Sequence, residues 1–201
     1  MSAPPLVLAS GSPRRREILS RLCIPFVVRP AQVRETPRPG ERPDACAARL
    51  AADKALSVIA DLEREGVPDA PFVLAADTVV VVDGEQLGKP ADDADARAMI
   101  ARLAGRAHDV TTAVALGRAG EGLRGERVVT TEVCFRELSR QEIEGYVGSG
   151  EGRDKAGAYA VQGLGAGLVR SVRGCYHNVV GLPAVETLLL LREAGALQRW
   201  P

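Results

Sequence analysis

Apolar residues along this chain fall into two patterns. Short continuous apolar runs predict buried strands, and apolar residues at helical spacing predict helices. The first predicted strand begins at Leu6. The other predicted strands lie at Pro25–Val28, Phe72–Val82, Glu85–Leu87, Asp109–Gly117, Glu126–Leu138 and Leu168–Val172. The predicted helices lie at Pro13–Leu22, Asp44–Glu65, Asp92–Leu103 and Pro183–Ala194, with a further one opened by the capping box of Ser139 and Glu142.

The predicted strands and helices alternate, and this order is typical of the α/β class. Asp83-Gly84 indicates a hairpin turn, and Gly105 indicates the end of a helix. The strands Asp109–Gly117 and Glu126–Leu138 are expected to pair across a glycine-rich turn. The local signals therefore favour a sheet flanked by helices.

The composition limits the kinds of molecule that this chain is expected to bind. With 201 residues, the chain is long enough for one medium-sized domain or two small lobes. Its 26 basic and 26 acidic residues give no net charge, which argues against charge-driven binding to nucleic acid or to a membrane surface. Aromatic residues make up only 3%, which argues against a surface that stacks on bases. We therefore expect neither nucleic acid nor a membrane as partner.

The cysteines and the start of the chain indicate the compartment. The scattered Cys23, Cys46, Cys134 and Cys175 show no C-x-x-C spacing, which argues against a metal centre or a disulfide framework. No apolar run approaches the ~18 residues of a membrane-spanning helix, and the N-terminus lacks the features of a secretory signal. We expect a cytoplasmic protein with reduced thiols.

The segment from Leu6 to Leu19 carries the strongest chemical signal. It predicts a buried strand, a tight turn at Gly11 and a helix with Ser12 as N-cap and Pro13 at its first position. The free N–H groups of such a first turn attract anions, and two arginines, Arg14 and Arg15, follow directly. A phosphate-bearing ligand suits this segment. The alternative is a capped surface helix with solvated arginines.

Asp77 places an ionisable group inside an apolar strand. A buried carboxylate needs a partner, so Asp77 either caps a backbone N–H or serves as a metal ligand or general base. Glu35, Lys54 and Lys89 taken singly are typical of surface charges. His108 and His177 have no ligand spacing and are expected to be structural. No Ser-His-Asp set, Walker loop or Rossmann fingerprint is present.

Five short segments occur in a specific order: SGSPRR from Ser10, RLAADKA from Arg49, ADT from Ala76, GKP from Gly88 and DKAGAYAVQG from Asp154. Together they resemble the Maf family of nucleoside triphosphate pyrophosphatases. The resemblance runs from Leu6 to about Leu191 and includes GCYHNVVGLP from Gly174. It implies a single domain over residues 1–201, with a mixed twisted sheet flanked by helices and two lobes around a central cleft, similar to the inosine-triphosphatase architecture. It also implies a homodimer.

The same resemblance assigns roles to individual residues. Asp77 matches the catalytic acid/base position. The positions that match substrate-binding residues are Ser10, Ser12, Arg14, Arg15, Lys54, Thr78, Lys89 and Gln162. A divalent cation, Mg²⁺ or Mn²⁺, prefers oxygen ligands, and Glu35 and Asp77 are the candidates. Arg34 stands where the family often has an acidic residue.

The residue at position 162 indicates the class of substrate. The form AYAVQG around it resembles the branch that acts on dTTP and UTP, whereas a sister branch acting on 7-methyl-GTP typically has Glu at this position. The implied reaction is hydrolysis at the α–β phosphate bond to a nucleoside monophosphate and pyrophosphate, in nucleotide-pool house-cleaning. Modified pyrimidine triphosphates are further candidate substrates. The alternatives are a pyrophosphatase for modified purine triphosphates and a nucleotide-binding regulator of septum formation with little turnover.

Overall fold

The computed structural model describes residues 6–67 and 70–200. The elements follow in the order β1 (Leu6–Leu8), α1 (Pro13–Arg21), β2 (Phe26–Val28), α2 (Pro43–Arg64), β3 (Phe72–Val82), β4 (Glu85–Leu87), α3 (Asp93–Leu103), β5 (Ala107–Arg118), β6 (Gly122–Phe135), α4 (Arg140–Gly148), β7 (Val169–Arg173), α5 (Tyr176–Val180) and α6 (Ala184–Glu193). Two short 3-10 helices, Ala156–Ala158 and Gly163–Gly167, lie between α4 and β7. Within the described residues, no helix combines the length and apolar character needed to cross a membrane.

Among the residues that the structure describes, the strands form one mixed sheet of seven strands. Six of them follow the order β2-β1-β3-β5-β6-β7, and β4 pairs with β3 outside this path. β1 runs parallel to β2 and β3, whereas the pairs β3–β4 and β6–β7 are antiparallel. The predicted α/β class, with a mixed sheet flanked by helices, is confirmed.

The chain divides into two compact units. The first comprises Met1–Asp77, Thr112–Val129 and Gly181–Pro201, and the second comprises Thr78–Thr111 and Thr130–Val180. The expectations of a single domain over residues 1–201 and of a central cleft stay predictions.

The first unit is built around β1. This strand is buried along its whole length and pairs with a neighbour on each side, so the chain reaches the turn after Leu8 from a fixed position. Several of the largest fully buried side chains belong to this unit, and they come from its strands and helices: Leu8, Leu19, Val58, Val73, Leu74, Leu190 and Leu191. The apolar runs predicted as strands and the apolar helix faces thus supply this core.

The second unit contains an aromatic cluster. The rings of Phe135 and Tyr159 meet edge to face with centroids 4.8 Å apart, and the ring of His108 packs against both. His108 Nε2 lies 2.7 Å from the Tyr159 hydroxyl. Burial lowers the pKa of His108 to about 4, so its ring is neutral at neutral pH. His108 is therefore a core residue, as expected for a structural histidine.

Most helix boundaries follow local signals. The predicted capping box is present, with Ser139 and Glu142 each bonding to the other's backbone N–H. β6 begins at Gly122 rather than at Glu126, because its first half is largely exposed and lacks the apolar pattern of a buried strand. α5 was not predicted, since a helix of five residues is too short to display an apolar period.

Candidate functional site

The turn between β1 and α1 is organised by two hydroxyls. Ser12 is the N-cap of α1, and its Oγ accepts a hydrogen bond from the backbone N–H of Arg15 at 3.5 Å. The N–H of Ser12 itself donates to Ser10 Oγ at 3.3 Å. Pro13 takes the first position of α1, where its missing N–H costs nothing. The strand, capped turn and helix predicted from the sequence are all present.

The side chain of Arg15 is tied into this turn. Its Nη1 donates to Ser10 Oγ at 3.0 Å, and its Nε donates to the carbonyl oxygen of Gly181 at 2.8 Å. Burial lowers the pKa of the Arg15 guanidinium, and the charges of Asp77 and Glu35 act against that shift. Its two hydrogen bonds therefore fix the Arg15 side chain in place, and its guanidinium lies close enough to Asp77 and Glu35 to interact with their charges.

Arg14 and Arg16 differ in their surroundings. Arg14 Nε is buried and has no hydrogen-bond partner in the structure, whereas Arg16 is exposed. An unsatisfied buried donor costs about 1–3 kcal/mol. A hydrogen bond from Arg14 Nε to an acceptor such as a phosphate oxygen would remove this free-energy cost. This observation favours the anion-binding reading of the segment over the solvated surface helix.

Lys54, Asp77 and Glu35 converge on one point. Lys54 on α2 donates to Asp77 Oδ1 on β3 at 2.6 Å, and its Nζ also lies 2.5 Å from Glu35 Oε1. Asp77 is 7% exposed, whereas the side chain of Glu35 is 44% exposed. The hydrogen-bond partner found for Asp77 is thus a side-chain cation rather than a backbone N–H.

The pKa of Asp77 is raised above its usual value. Burial is the largest cause, because it disfavours the charged carboxylate. The charge and hydrogen bond of Lys54 and the charge of Arg15 oppose this shift, and the charge of Glu35 adds to it. A carboxylate with a raised pKa is a stronger base than an exposed one, which is the property a proton acceptor needs.

The segment that carries Glu35 is held by Arg49 of α2. Arg49 binds Glu41 through two hydrogen bonds of 2.6 and 2.7 Å, from Nε and Nη2 respectively. Its Nη2 also donates to the carbonyl oxygen of Thr36 at 3.1 Å, and its Nη1 donates to Asp53 at 3.3 Å. Hydrogen bonds from Arg49 hold the pKa of Glu41 at about 2. A forked ion pair therefore fastens the loop to the helix that carries Lys54.

The second unit contains the other three predicted residues. Thr78 directly follows Asp77 on β3 and is half-buried. Lys89 is exposed in the turn after β4, and the carbonyl oxygen of Gly88 beside it accepts a hydrogen bond from Gly157 N at 3.0 Å. That bond ties the turn of Lys89 to the segment that leads to Gln162. Gln162 is half-buried at the start of the second 3-10 helix.

Comparison with known proteins identifies the family. Residues 5–194 match the family described as Maf-like protein. The chain belongs to the Maf-like family. The family match thereby confirms the resemblance carried by the five segments.

Curated relatives of this Maf-like chain share a common name. A protein of Anaeromyxobacter dehalogenans (strain 2CP-1 / ATCC BAA-258) is 50% identical over 200 residues, which cover 98% of each chain. One of Myxococcus xanthus (strain DK1622) is 53% identical over 97% of this chain and 95% of its own. One of Hahella chejuensis (strain KCTC 2396) is 49% identical over 94% and 92%. All three are named dTTP/UTP pyrophosphatase.

Glu35 and Asp77 supply oxygen atoms of the kind that a divalent cation prefers, and the predicted metal site stays a prediction. Within residues 6–67 and 70–200, no cluster of three or more His, Cys, Asp or Glu residues forms a metal cage. Mg²⁺ does not need one, because it is commonly held by one or two carboxylates together with substrate phosphates. Glu35 and Asp77 each place a carboxylate oxygen next to the ammonium of Lys54. Both oxygens therefore face a position that a positive charge already occupies.

Some residues around the Maf-like site carry no strong signal in the sequence. Arg49 belongs to the segment RLAADKA, but nothing in that segment shows that it binds Glu41 and Thr36. Tyr146 precedes the glycine-rich residues 148–167 and Glu151 lies among them, and this segment shows no apolar period. In each case the contact joins residues that only the folded backbone brings together.

Proposed function

We propose that this chain hydrolyses dTTP and UTP to the nucleoside monophosphate and pyrophosphate. The observation that carries the proposal is the name dTTP/UTP pyrophosphatase of relatives about half identical over nearly the full length of both chains. The geometry of the first unit supports it, because that unit combines cations, an unsatisfied buried donor and a basic carboxylate. Such a set suits a phosphate anhydride and a water molecule.

The cations of the site bind the triphosphate. A nucleoside triphosphate carries several negative charges, which the positive end of the α1 helix dipole and the arginines of its first turn attract. Arg14 Nε gains the acceptor that it lacks in the structure. Arg15, held by Ser10 and Gly181, keeps its charge in a fixed place. Lys89 supplies a further cation for the phosphates.

Asp77 accepts the proton of the attacking water. The water oxygen forms a bond to the α-phosphorus while the bond from that phosphorus to the α–β bridging oxygen breaks. The proton goes to the Asp77 carboxylate, and the electron pair of the broken bond leaves with pyrophosphate. Burial makes Asp77 a better base, and Lys54 at 2.6 Å keeps the carboxylate oriented. Positioned acid–base catalysis of this kind contributes about 10²- to 10⁴-fold.

Glu35 and Asp77 would hold a divalent cation, Mg²⁺ or Mn²⁺. When bound, such an ion neutralises phosphate charge and lowers the pKa of a coordinated water. Lys54 spans the same two carboxylates in the structure, so it keeps their charges compensated before the substrate arrives. Arg49 holds the loop of Glu35, which keeps that carboxylate near Asp77.

Gln162 reads the base. Uracil and thymine present a carbonyl acceptor next to an imide N–H donor, and a glutamine amide offers one donor and one acceptor to match. An ionised glutamate would only accept hydrogen bonds, which suits the adjacent N–H and NH₂ donors of guanine instead. This chemistry supports the preference for pyrimidine substrates that the resemblance implies for a chain with Gln162.

A substrate panel tests the proposal. The chain is incubated with each common nucleoside triphosphate in Mg²⁺ and in Mn²⁺, and released pyrophosphate and nucleoside monophosphate are measured. We expect the highest kcat/KM for UTP and dTTP. A preference for purine triphosphates would overturn the base assignment, and tight binding without turnover would favour a regulator. Gln162→Glu is expected to lower kcat/KM for UTP and dTTP by about 10-fold, since an unpaired buried polar group costs about 1–3 kcal/mol.

A further inference from the structure

The carboxylate of Glu151 is bound by backbone N–H groups on the far side of Gln162. Its Oε1 accepts a hydrogen bond from Leu164 N at 2.9 Å, and its Oε2 accepts one from Gly165 N at 2.8 Å. Hydrogen bonds to an ionised carboxylate are roughly twice as strong as neutral ones. Glu151 therefore fixes the backbone two and three residues after Gln162.

The hydroxyl of Tyr146 completes the arrangement on the near side. It donates to Glu151 Oε2 at 3.1 Å and accepts a hydrogen bond from Ala160 N at 3.1 Å. Tyr146 lies on α4 and is 6% exposed, so its ring is held by packing as well. One connected pair of side chains thus binds the backbone on both sides of Gln162.

The backbone around Gln162 folds back tightly on itself. A Cβ added to Gly165 would lie 1.9 Å from the carbonyl oxygen of Ala160, and one added to Gly163 would lie 2.1 Å from Glu151 Oε1. Gly163 also has a φ of +65°, which glycine adopts without strain. The bend that presents Gln162 therefore depends on close contacts within this loop rather than on a regular helix or strand.

We propose that Glu151 and Tyr146 are positioning residues that set the base selectivity of Gln162; this inference rests on the proposed function. Recognition of an imide edge needs both ends of the glutamine amide at hydrogen-bond distance. Gln162 is held from both flanks by a carboxylate and a hydroxyl that themselves share a hydrogen bond. Loss of either group loosens the bend and degrades the discrimination between bases.

Two variants test the inference. Tyr146→Phe removes the hydroxyl and keeps the ring, and Glu151→Gln keeps the shape while placing an amide opposite two N–H donors. Glu144→Gln on the same helix is the matched control for the carboxylate, because Glu144 is exposed and pairs with Arg97 at 3.5 Å. Thr111→Val is the control for a lost hydroxyl contact, since it removes a 2.8 Å hydrogen bond to Thr130 in the same unit.

The readout is the UTP-to-GTP ratio of kcat/KM, which a loss of stability alone does not move. We expect Tyr146→Phe and Glu151→Gln to lower this ratio about 3- to 10-fold, because a strained or lost hydrogen bond to the base costs about that much selectivity. Both controls should leave it unchanged. Hydrogen exchange should also quicken at the amides of Leu164 and Gly165 in Glu151→Gln. If Glu151→Gln does not fold, Tyr146→Phe decides the matter alone.

The outcomes separate this inference from the proposed function. If the wild-type protein shows no preference for UTP and dTTP, the proposed function is wrong, whatever the variants do. If the wild-type protein prefers them and Gln162→Glu shifts the ratio, the proposed function stands. An unchanged ratio in Tyr146→Phe and Glu151→Gln would then overturn the role of the pair, and it would leave these residues with a structural task only.

Discussion

The ammonium of Lys54 donates a hydrogen bond of 2.6 Å to Asp77 Oδ1, and the side chain of each residue is only 10% exposed. A buried ion pair tolerates the loss of one partner poorly, because the other charge is left uncompensated. Lys54 therefore compensates the charge of Asp77, the carboxylate proposed as the general base, and it contacts Glu35 as well.

Asp77→Asn is expected to lower kcat by about 10²-fold or more, because the amide cannot accept the proton of the attacking water. The change is nearly isosteric, so triphosphate binding should survive better than turnover. Steady-state kinetics and a binding titration with a slowly hydrolysed analogue measure the two effects. Asp109→Asn, at an exposed position, is the control and should behave like the wild-type protein. Near-normal kcat in Asp77→Asn would remove Asp77 from the mechanism.

Arg14→Ala is expected to lower kcat/KM for UTP by about one to two decades, since a charge-assisted hydrogen bond is worth about 1.5–3 kcal/mol. The expectation follows from the unsatisfied, buried Nε of Arg14. Arg16→Ala is the matched control, because Arg16 is exposed on the same turn of α1. Equal losses in the two variants would mean that the phosphates do not approach α1 as proposed.

Arg49→Lys is expected to lower kcat/KM about 3- to 10-fold and to raise the Mg²⁺ concentration needed for half-maximal turnover. Lysine keeps the charge but lacks the fork that binds Glu41 and the carbonyl oxygen of Thr36, so the loop of Glu35 loosens. A Mg²⁺ titration of the initial rate provides the measurement.

The control for this variant is Arg64→Lys, at an exposed position of the same helix where the arginine pairs with Asp61. Surface pairs of this kind contribute about 0–1 kcal/mol, so its kinetics should not change. An unaltered Mg²⁺ dependence in Arg49→Lys would contradict the role given to Glu35.

Acid should destabilise this protein partly through His108. Its pKa is lowered by burial from 6.5 to about 4, so on acidification the unfolded chain takes up a proton before the folded protein does. The stability that comes from the neutral ring is present above pH ~6.5 and is lost as the pH falls toward ~4. The full effect amounts to about 3 kcal/mol at most.

His108→Gln isolates this effect, since glutamine does not titrate and can still reach the Tyr159 hydroxyl. Denaturant unfolding of both proteins at several pH values between 7 and 4 gives the free energy of unfolding. We expect the wild-type value to fall more steeply than that of the variant. Parallel pH profiles would show that His108 is already protonated in the folded protein or that its surroundings are not dry.

Much of the fold was predictable because its signals are local. Ser12 with Pro13, and Ser139 with Glu142, mark helix starts through bonds within three residues, and the structure contains both caps. The apolar run Phe72–Val82 is a strand with the predicted bounds. The start of β6 at Gly122 is not predictable from an apolar pattern, because its first residues are largely exposed and owe their extended form to pairing in the sheet.

The residues of the candidate site were named by the resemblance and their roles stay predictions, whereas their contacts could not be predicted from the sequence. The resemblance named Lys54, Asp77 and Glu35, yet nothing in the spacing of these residues shows that one ammonium bridges both carboxylates. The contacts of Glu151 with Leu164 and Gly165 could not be predicted from the sequence either, because they depend on a bend that has no periodic pattern.

The hydrogen bond from Arg15 to Gly181 has a consequence for how this protein is made. The two residues are 166 positions apart, so the carbonyl that anchors this arginine is synthesised long after the arginine itself. A nascent chain that has not yet exposed Gly181 lacks this anchor, even though its first strand and helix have long left the ribosome. Arg15 is therefore held in its place only after the segment with Gly181 has folded against the turn between β1 and α1.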